Sequence, residues 1–285
     1  METSVVPPAA FERAVASAGS VTLAAYTLPS PGLVAALECA AARGALVAVV
    51  LAGGAKLPAG LRARNARAAA TLRAHGVGVR IETAAVHAKA AVVDGDLYLD
   101  GRNWNRGDLI VRDRDPADVA AFRDALAGAP GRPGPLATSK AAALAQETAL
   151  IAGAVGDRID VASESFGGCT VSKALHDRLA AGARVRLLVS SEELRGPNAA
   201  REWTTLRKLA AAGAEIRTSR ANDKLCVAAG RAWLGSANAT WPVGPMLDWG
   251  LVSDDSALVG AARTRFETDW AAARPLPQAD ARVVA

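Results

Sequence analysis

The sequence predicts an α/β protein of two tandem lobes, each a mixed β-sheet flanked by helices. Three observations carry this. Short apolar runs such as VTLAAYT (21–27) and ALVAVVL (45–51) alternate with longer helical stretches, the pattern of a sheet covered by helices. The order of elements restarts after residue 154. A Gly/Pro-rich stretch, GAPGRPGPL at 128–136, separates the two runs and interrupts helix and strand alike. The expected domains are therefore 10–127, a linker at 128–138, and 139–273. With 285 residues, 51% of them hydrophobic, the chain can fill two cores.

Taken in order, residues 1–9 read as a loose tail and Phe11–Ala18 as a short helix. Val21–Thr27 reads as a buried strand. Pro31 opens a helix through Ala42 that Gly44 closes, following the preference for Pro at the start and Gly past the end. Ala45–Leu51 is a strand of the buried parallel type. Leu61–His75 is a helix with Arg62, Arg64, Arg67 and Arg73 on its solvated side. A strand at Val77–Ile81, a hairpin after His87, a strand at Asp108–Val111 and a helix from Pro116 to Leu126 complete the first lobe.

After a helix at Ser139–Ala154 the pattern repeats. Ile159–Ser163 answers Val21–Ala25, Val171–Ala181 answers Leu33–Ala42, and RVRLLVS (184–190) answers ALVAVVL. Glu202–Ala212 answers Leu61–His75. Lys224 answers Lys89 and Asn222 answers His87, both at an offset of 135 (224−89, 222−87). Such a period marks a tandem duplication and not a short-repeat solenoid.

Composition narrows the setting. The N-terminus lacks a basic region followed by an apolar core, and no apolar run reaches the roughly 18–20 residues that span a bilayer. Three widely spaced cysteines, Cys39, Cys169 and Cys226, fit a reducing compartment and neither a disulfide frame nor a zinc site. The expectation is a cytoplasmic monomer. A net charge of +5 favours an anionic partner, nucleic acid or an acidic lipid surface with peripheral membrane contact.

The chemistry concentrates in VHAKAAVVDGDLYLDGRNW, residues 86–104. Two apolar runs flank Asp94-Gly95, a hairpin turn signal. His87 and Lys89, two apart on a strand, share one face. Lys supplies a fixed charge for a phosphate, and a neutral imidazole supplies a nucleophile or proton carrier.

His87-x-Lys89-x4-Asp94, with Gly101 following, resembles the signature of the phospholipase D superfamily. The second repeat carries that family's Gly-Ser-x-Asn as Gly235, Ser236, Ala237 and Asn238. The resemblance covers roughly residues 10–273. It implies two phospholipase D-like lobes about a pseudo-twofold axis, their two motifs forming one active site. It implies attack on a phosphodiester, phospholipid or nucleic acid, through a phosphohistidine, with neither metal nor cofactor. His87 matches the nucleophile, and Lys89 and Lys224 match the phosphate clamp. Ser236 and Asn238 match further phosphate ligands, with Asn103 a displaced match. Asp248 matches the acidic residue that orients an imidazole, and Asp94 has a mainly structural role within the catalytic motif.

The second motif departs from this pattern. Asn222 stands for the second His and Ala229 for the second Asp. Asn222 can bind substrate but cannot exchange a proton, an assistance worth roughly 10²–10⁴ in rate. The alternative is therefore a catalytically silent phosphodiester-binding protein. Glu164, ending the second lobe's first strand, is a candidate substitute acid. His75 and His176 read as surface residues, and Trp241 as a residue that could line a groove.

Overall fold

The computed structural model describes residues 3–55, 57–129, 134–156, 158–220, 222–241 and 244–277. Residues 130–133 of the expected linker lie outside the described residues. In chain order the elements are β1 (Thr3–Val6), α1 (Pro8–Ser17), β2 (Ser20–Ala25), α2 (Pro31–Ala42), β3 (Leu46–Ala52), α3 (Ala59–Ala74), β4 (Gly78–Glu82), β5 (Ala85–Val86), β6 (Ala90–Val93), β7 (Asp96–Asp100), β8 (Ile110–Asp113), α4 (Pro116–Leu126) and β9 (Leu136–Ala137). They continue with α5 (Lys140–Gly153), β10 (Arg158–Ser163), α6 (Thr170–Ala180), β11 (Arg184–Ser190), α7 (Ala199–Ala211), β12 (Glu215–Ser219), β13 (Leu225–Ala228), β14 (Arg231–Gly235), β15 (Met246–Leu247), β16 (Gly250–Ser253), α8 (Ser256–Ala272) and β17 (Arg274–Pro275). The chain divides into two compact units, Met1–Lys140 with Gly244–Trp249, and Ala141–Val243 with Gly250–Ala285.

The first unit's main sheet has the order β1-β8-β7-β6-β2-β3-β4. Strands β2, β3 and β4 pair in parallel, and the other pairs are antiparallel. Within the second unit the order runs β17-β12-β11-β10-β13-β14-β16, with the same division into parallel and antiparallel pairs. The duplication is thus one of topology and register. Ser20 lies opposite Leu46, and Arg158 opposite Arg184, the same spacing in both units.

Local chemistry sets the helices. Pro31 occupies the first turn of α2, and the Ser30 hydroxyl accepts from Leu33 N at 3.2 Å, satisfying one amide that the helix leaves open. Asp115 does the same for α4 through Ala117 N. Phe11, Leu37 and Leu72 of the flanking helices bury against Leu23, Val49 and Leu51 of the sheet.

The structure corrects two expectations. Residues 3–6 are no loose tail: β1 pairs antiparallel with β8, Thr3 opposite Asp113 and Val6 opposite Ile110. The TSVV run, β-branched at Thr3, Val5 and Val6, completes the open edge of β8. His87 and Lys89 do not lie within a strand but in the link between β5 and β6. Strands β1, β5, β9, β15 and β17 and helix α8 are additional to the elements the sequence predicts. Among the described residues no helix is long and apolar enough to cross a membrane.

Candidate functional site

The first half-site forms where the β5–β6 link meets the segment carrying β15. Strand β15 pairs parallel with β5, and Leu247 O accepts from His87 N at 2.9 Å and Ala88 N at 2.8 Å. Asp100 N donates to Lys89 O at 2.9 Å. The backbone of 87–89 is therefore held on both flanks without belonging to a strand.

These clamps bring Asp248 to His87, although 161 positions separate them. Nδ1 of His87 lies 2.8 Å from Asp248 Oδ1, and the carboxylate is fully buried. Nε2 of His87 lies 3.2 Å from Lys89 Nζ. An ammonium can only donate, so Nε2 is the nitrogen with the lone pair, and Nδ1 carries the proton donated to Asp248. The imidazole is thus held between a buried carboxylate on one ring nitrogen and an ammonium on the other. Its side chain is 16% exposed.

Tyr26, just past β2, completes this half-site and has no motif to announce it. Its ring meets the imidazole edge-on, centroids 4.9 Å apart and planes at 64°. Lys89 Nζ lies 5.3 Å from the Tyr26 ring centre, within cation–π range. Asn65, buried on α3, donates to Tyr26 O at 2.8 Å and to Ala52 O at 2.7 Å. One amide thus ties the ends of β2 and β3 together. The repeat offset of 138 that relates Ser20 to Arg158 relates Tyr26 to Glu164, and this was the available sequence signal.

Asp94 does not join these residues. It sits at the far end of β6, in the turn to β7, with φ of 47°. Its carboxylate accepts from Gly19 N at 3.0 Å and Ser20 N at 2.8 Å, fastening the hairpin to the start of β2. The displaced Gly-x-Asn of the first repeat also has a structural cause. Asp100 accepts from Arg102 N and Trp104 N, and Trp104 turns into the core, stacked on Phe11 at 4.7 Å. Asn103 is left half-buried, its Oδ1 without a hydrogen-bond partner among the described residues. Burial, and then the charge of Asp108, pushes Asp100 up to about 8, while Asp108 Oδ1 lies 3.3 Å from Arg102 Nε.

The second half-site repeats the frame with different side chains. Gly235 N donates to Lys224 O at 3.1 Å, as Asp100 N does to Lys89 O. Lys224, buried, donates from Nζ to Glu164 Oε2 at 2.7 Å and to Asn222 O at 2.8 Å. Ser236 is fully buried. Asn238 Oδ1 accepts from Ser165 N at 3.3 Å, and Ala239 N donates to Ser163 Oγ at 3.0 Å. The Gly-Ser-x-Asn loop is thereby fixed to the end of β10. Ser165 Oγ also donates to the buried Glu202, whose acidity burial weakens. Glu193 is shifted the same way, by burial and then by the charge of Glu164.

The other histidines lie elsewhere. His75 closes α3 beside Thr71 O and Glu38, and His176 is exposed on α6. Trp241 is 66% exposed, whereas Trp203, Trp233, Trp249 and Trp270 are buried. Glu164 lies at ion-pair distance from Lys224.

A duplicated mixed α/β unit, with an oriented imidazole beside an ammonium in one copy, defines the phospholipase D-like class. The family profile described as "Cardiolipin synthase, PLD-like domain" matches residues 12–113 and 148–270. The chain belongs to this family, within the phospholipase D superfamily. Among solved structures, phosphatidylserine synthase of Haemophilus influenzae Rd KW20 is similar with a TM-score of 0.67 at 12% identity, over 96% of this chain and 87% of that one. Polyphosphate kinase of Porphyromonas gingivalis is similar with a TM-score of 0.66 at 15% identity, over 94% of this chain. The chain spans 50% of that kinase's length. At these identities the likeness is one of fold. No curated protein sequence matches the chain.

Proposed function

We propose that the chain is a phosphodiesterase that works through a phosphohistidine at His87. The observation that supports this best is the Asp248–His87–Lys89 arrangement, in which Nε2 keeps its lone pair and faces an ammonium. A diester phosphate that draws Lys89 onto one of its oxygens uncovers Nε2. Nε2 then attacks phosphorus, an N–P bond forms, and the bond to one ester oxygen breaks with its electron pair. Asp248 stabilises the positive charge that the ring acquires, and Lys89 stabilises the charge that gathers on the phosphoryl oxygens. Water, or an alcohol, then attacks phosphorus, gives up its proton to solvent, and expels the histidine nitrogen, which takes back the N–P electron pair.

Lys224, Ser236, Asn238 and Asn222 are the proposed phosphate and substrate ligands of the second repeat, and Asn103 of the first. Asn222 offers no proton, so the departing oxygen leaves unassisted. Activated diesters should therefore react far better than alkyl or nucleotide diesters. Membership of the family favours an enzyme over a silent binder. Phospholipid and nucleic acid both contain the required diester.

The test uses an aryl phosphodiester whose phenolate leaves without protonation. The expected outcome is release of the phenol and a phosphoryl adduct on His87 by mass spectrometry, both abolished by His87→Ala. Phosphate-analogue binding that needs Lys89 and Lys224, with no adduct and no turnover, would replace the enzyme with the binding protein.

A further inference from the structure

The two half-sites treat their lysines differently, and the difference lies in equivalent positions. Tyr26 follows β2 by one residue, and Glu164 follows β10 by one residue; the offset is the 138 (164−26) that relates the two strands. At the first position an aromatic ring lies 5.3 Å from Lys89 Nζ. At the second a carboxylate lies 2.7 Å from Lys224 Nζ. Lys224 has 1% of its side chain exposed and Glu164 27%, so the carboxylate sits on the solvent side of the ammonium.

We infer that Glu164 is a built-in competitor for phosphate at Lys224, and that it sets the charge of the anion the second half-site accepts. This rests on the phosphodiester reading above, which gives Lys224 a phosphate to hold. A carboxylate at ion-pair distance makes the same charge-assisted hydrogen bond that a phosphate oxygen would make. A phosphate must therefore displace Glu164 or bind beside a cancelled charge. The charge of Glu164 is felt by the carboxyls of Glu193 and of the buried Glu202. A carboxylate repels a neighbouring dianion more than it repels a monoanion. The pair thus favours the single charge of a diester over a doubly charged monoester or a free inorganic dianion. Glu164 is a specificity-determining residue in this assignment and not the substitute acid that its place in the sequence invites.

The experiment is calorimetric titration with tungstate, a dianion, at fixed pH and salt. Glu164→Gln keeps the size of the side chain and removes its charge. Glu164→Tyr installs the residue of the first half-site. Both are expected to bind tungstate roughly tenfold more tightly than the natural chain, and both gains should vanish in the Lys224→Ala background. Equal or weaker affinity in the two variants, with Lys224→Ala still weakening the natural chain, would overturn the competitor. A gain that survives Lys224→Ala would overturn it too, because the charge would then act elsewhere. Tungstate binding that ignores both Lys89→Ala and Lys224→Ala is a different signature, and it removes the phosphodiester reading itself. Because Glu164 is partly exposed and replaceable by two unrelated side chains, a folding failure common to both would itself show that the pair is a structural tie, which also overturns the proposal.

Discussion

His87 is oriented by three kinds of contact: a buried carboxylate on Nδ1, an ammonium on Nε2, and an aromatic edge against the ring. The carboxylate and the ammonium together fix which nitrogen carries the proton. Asp248→Asn keeps the shape but removes the charge, and its amide can present a donor where an acceptor is required. The expected outcome is a fall in the rate of adduct formation of roughly 10²–10⁴-fold. Tungstate affinity, set by the lysines, should stay within about twofold. A general loss of structure would lower both, so the split between rate and binding identifies the positioning role. An unchanged rate would show that Lys89 and Tyr26 suffice to orient the ring.

At the scale of elements, the two hairpins solve one turn with different residues. Asp94-Gly95 adopts φ of 47° and 95°, and Ala229-Gly230 adopts 50° and 70°. An Asp tolerates the left-handed region through its short polar side chain, and here it also binds the amides of Gly19 and Ser20. An Ala pays roughly 1–2 kcal/mol for the same conformation. Ala229 is exposed, so Ala229→Asn loses no packing and is expected to stabilise the chain by about 0.5–1 kcal/mol. This would appear as a rise in Tm of about 2 °C; no rise would mean that the turn relaxes around Ala at no cost. The first hairpin was legible because Asp94-Gly95 sits between apolar runs, and α2 and α4 because Pro31 and Pro116 mark their first turns. The duplicated order of strands was legible for the same local reasons. The half-site was legible only in part. His87, Lys89 and Lys224 stand in spaced motifs, but the pairing of β15 with β5 that delivers Asp248 to His87 joins segments 161 residues apart. Tyr26 meets the imidazole through space, and no local pattern records such a contact. β1 was hidden because four residues beside two prolines carry too little periodicity to read as a strand.

For the molecule as a whole, buried acids decide how stability depends on pH. Asp118 is pushed up to about 7 by burial and by its neighbour Asp113, and Asp100 to about 8. Glu147 on α5 is the cleanest case. It is 1% exposed, neither carboxyl oxygen has a hydrogen-bond partner among the described residues, and burial alone pushes it up to about 8. In the unfolded chain the same group ionises near its ordinary value of 4.5. Between these limits the folded chain keeps a proton that the unfolded chain has lost. Stability from this group is therefore complete below about pH 4.5, falls as pH rises, and is fully lost once pH passes about 8. Glu147→Leu fills the same space with carbon and removes the titration. The variant should gain on the natural chain as pH rises from 5 to 8, its advantage at pH 8 exceeding that at pH 5 by at least about 1 kcal/mol, or about 2 °C in Tm. Thermal unfolding of both proteins across that range measures the difference directly. A constant difference from pH 5 to 8 would show that Glu147 is ionised in the folded chain, held by a partner such as water that offsets its burial.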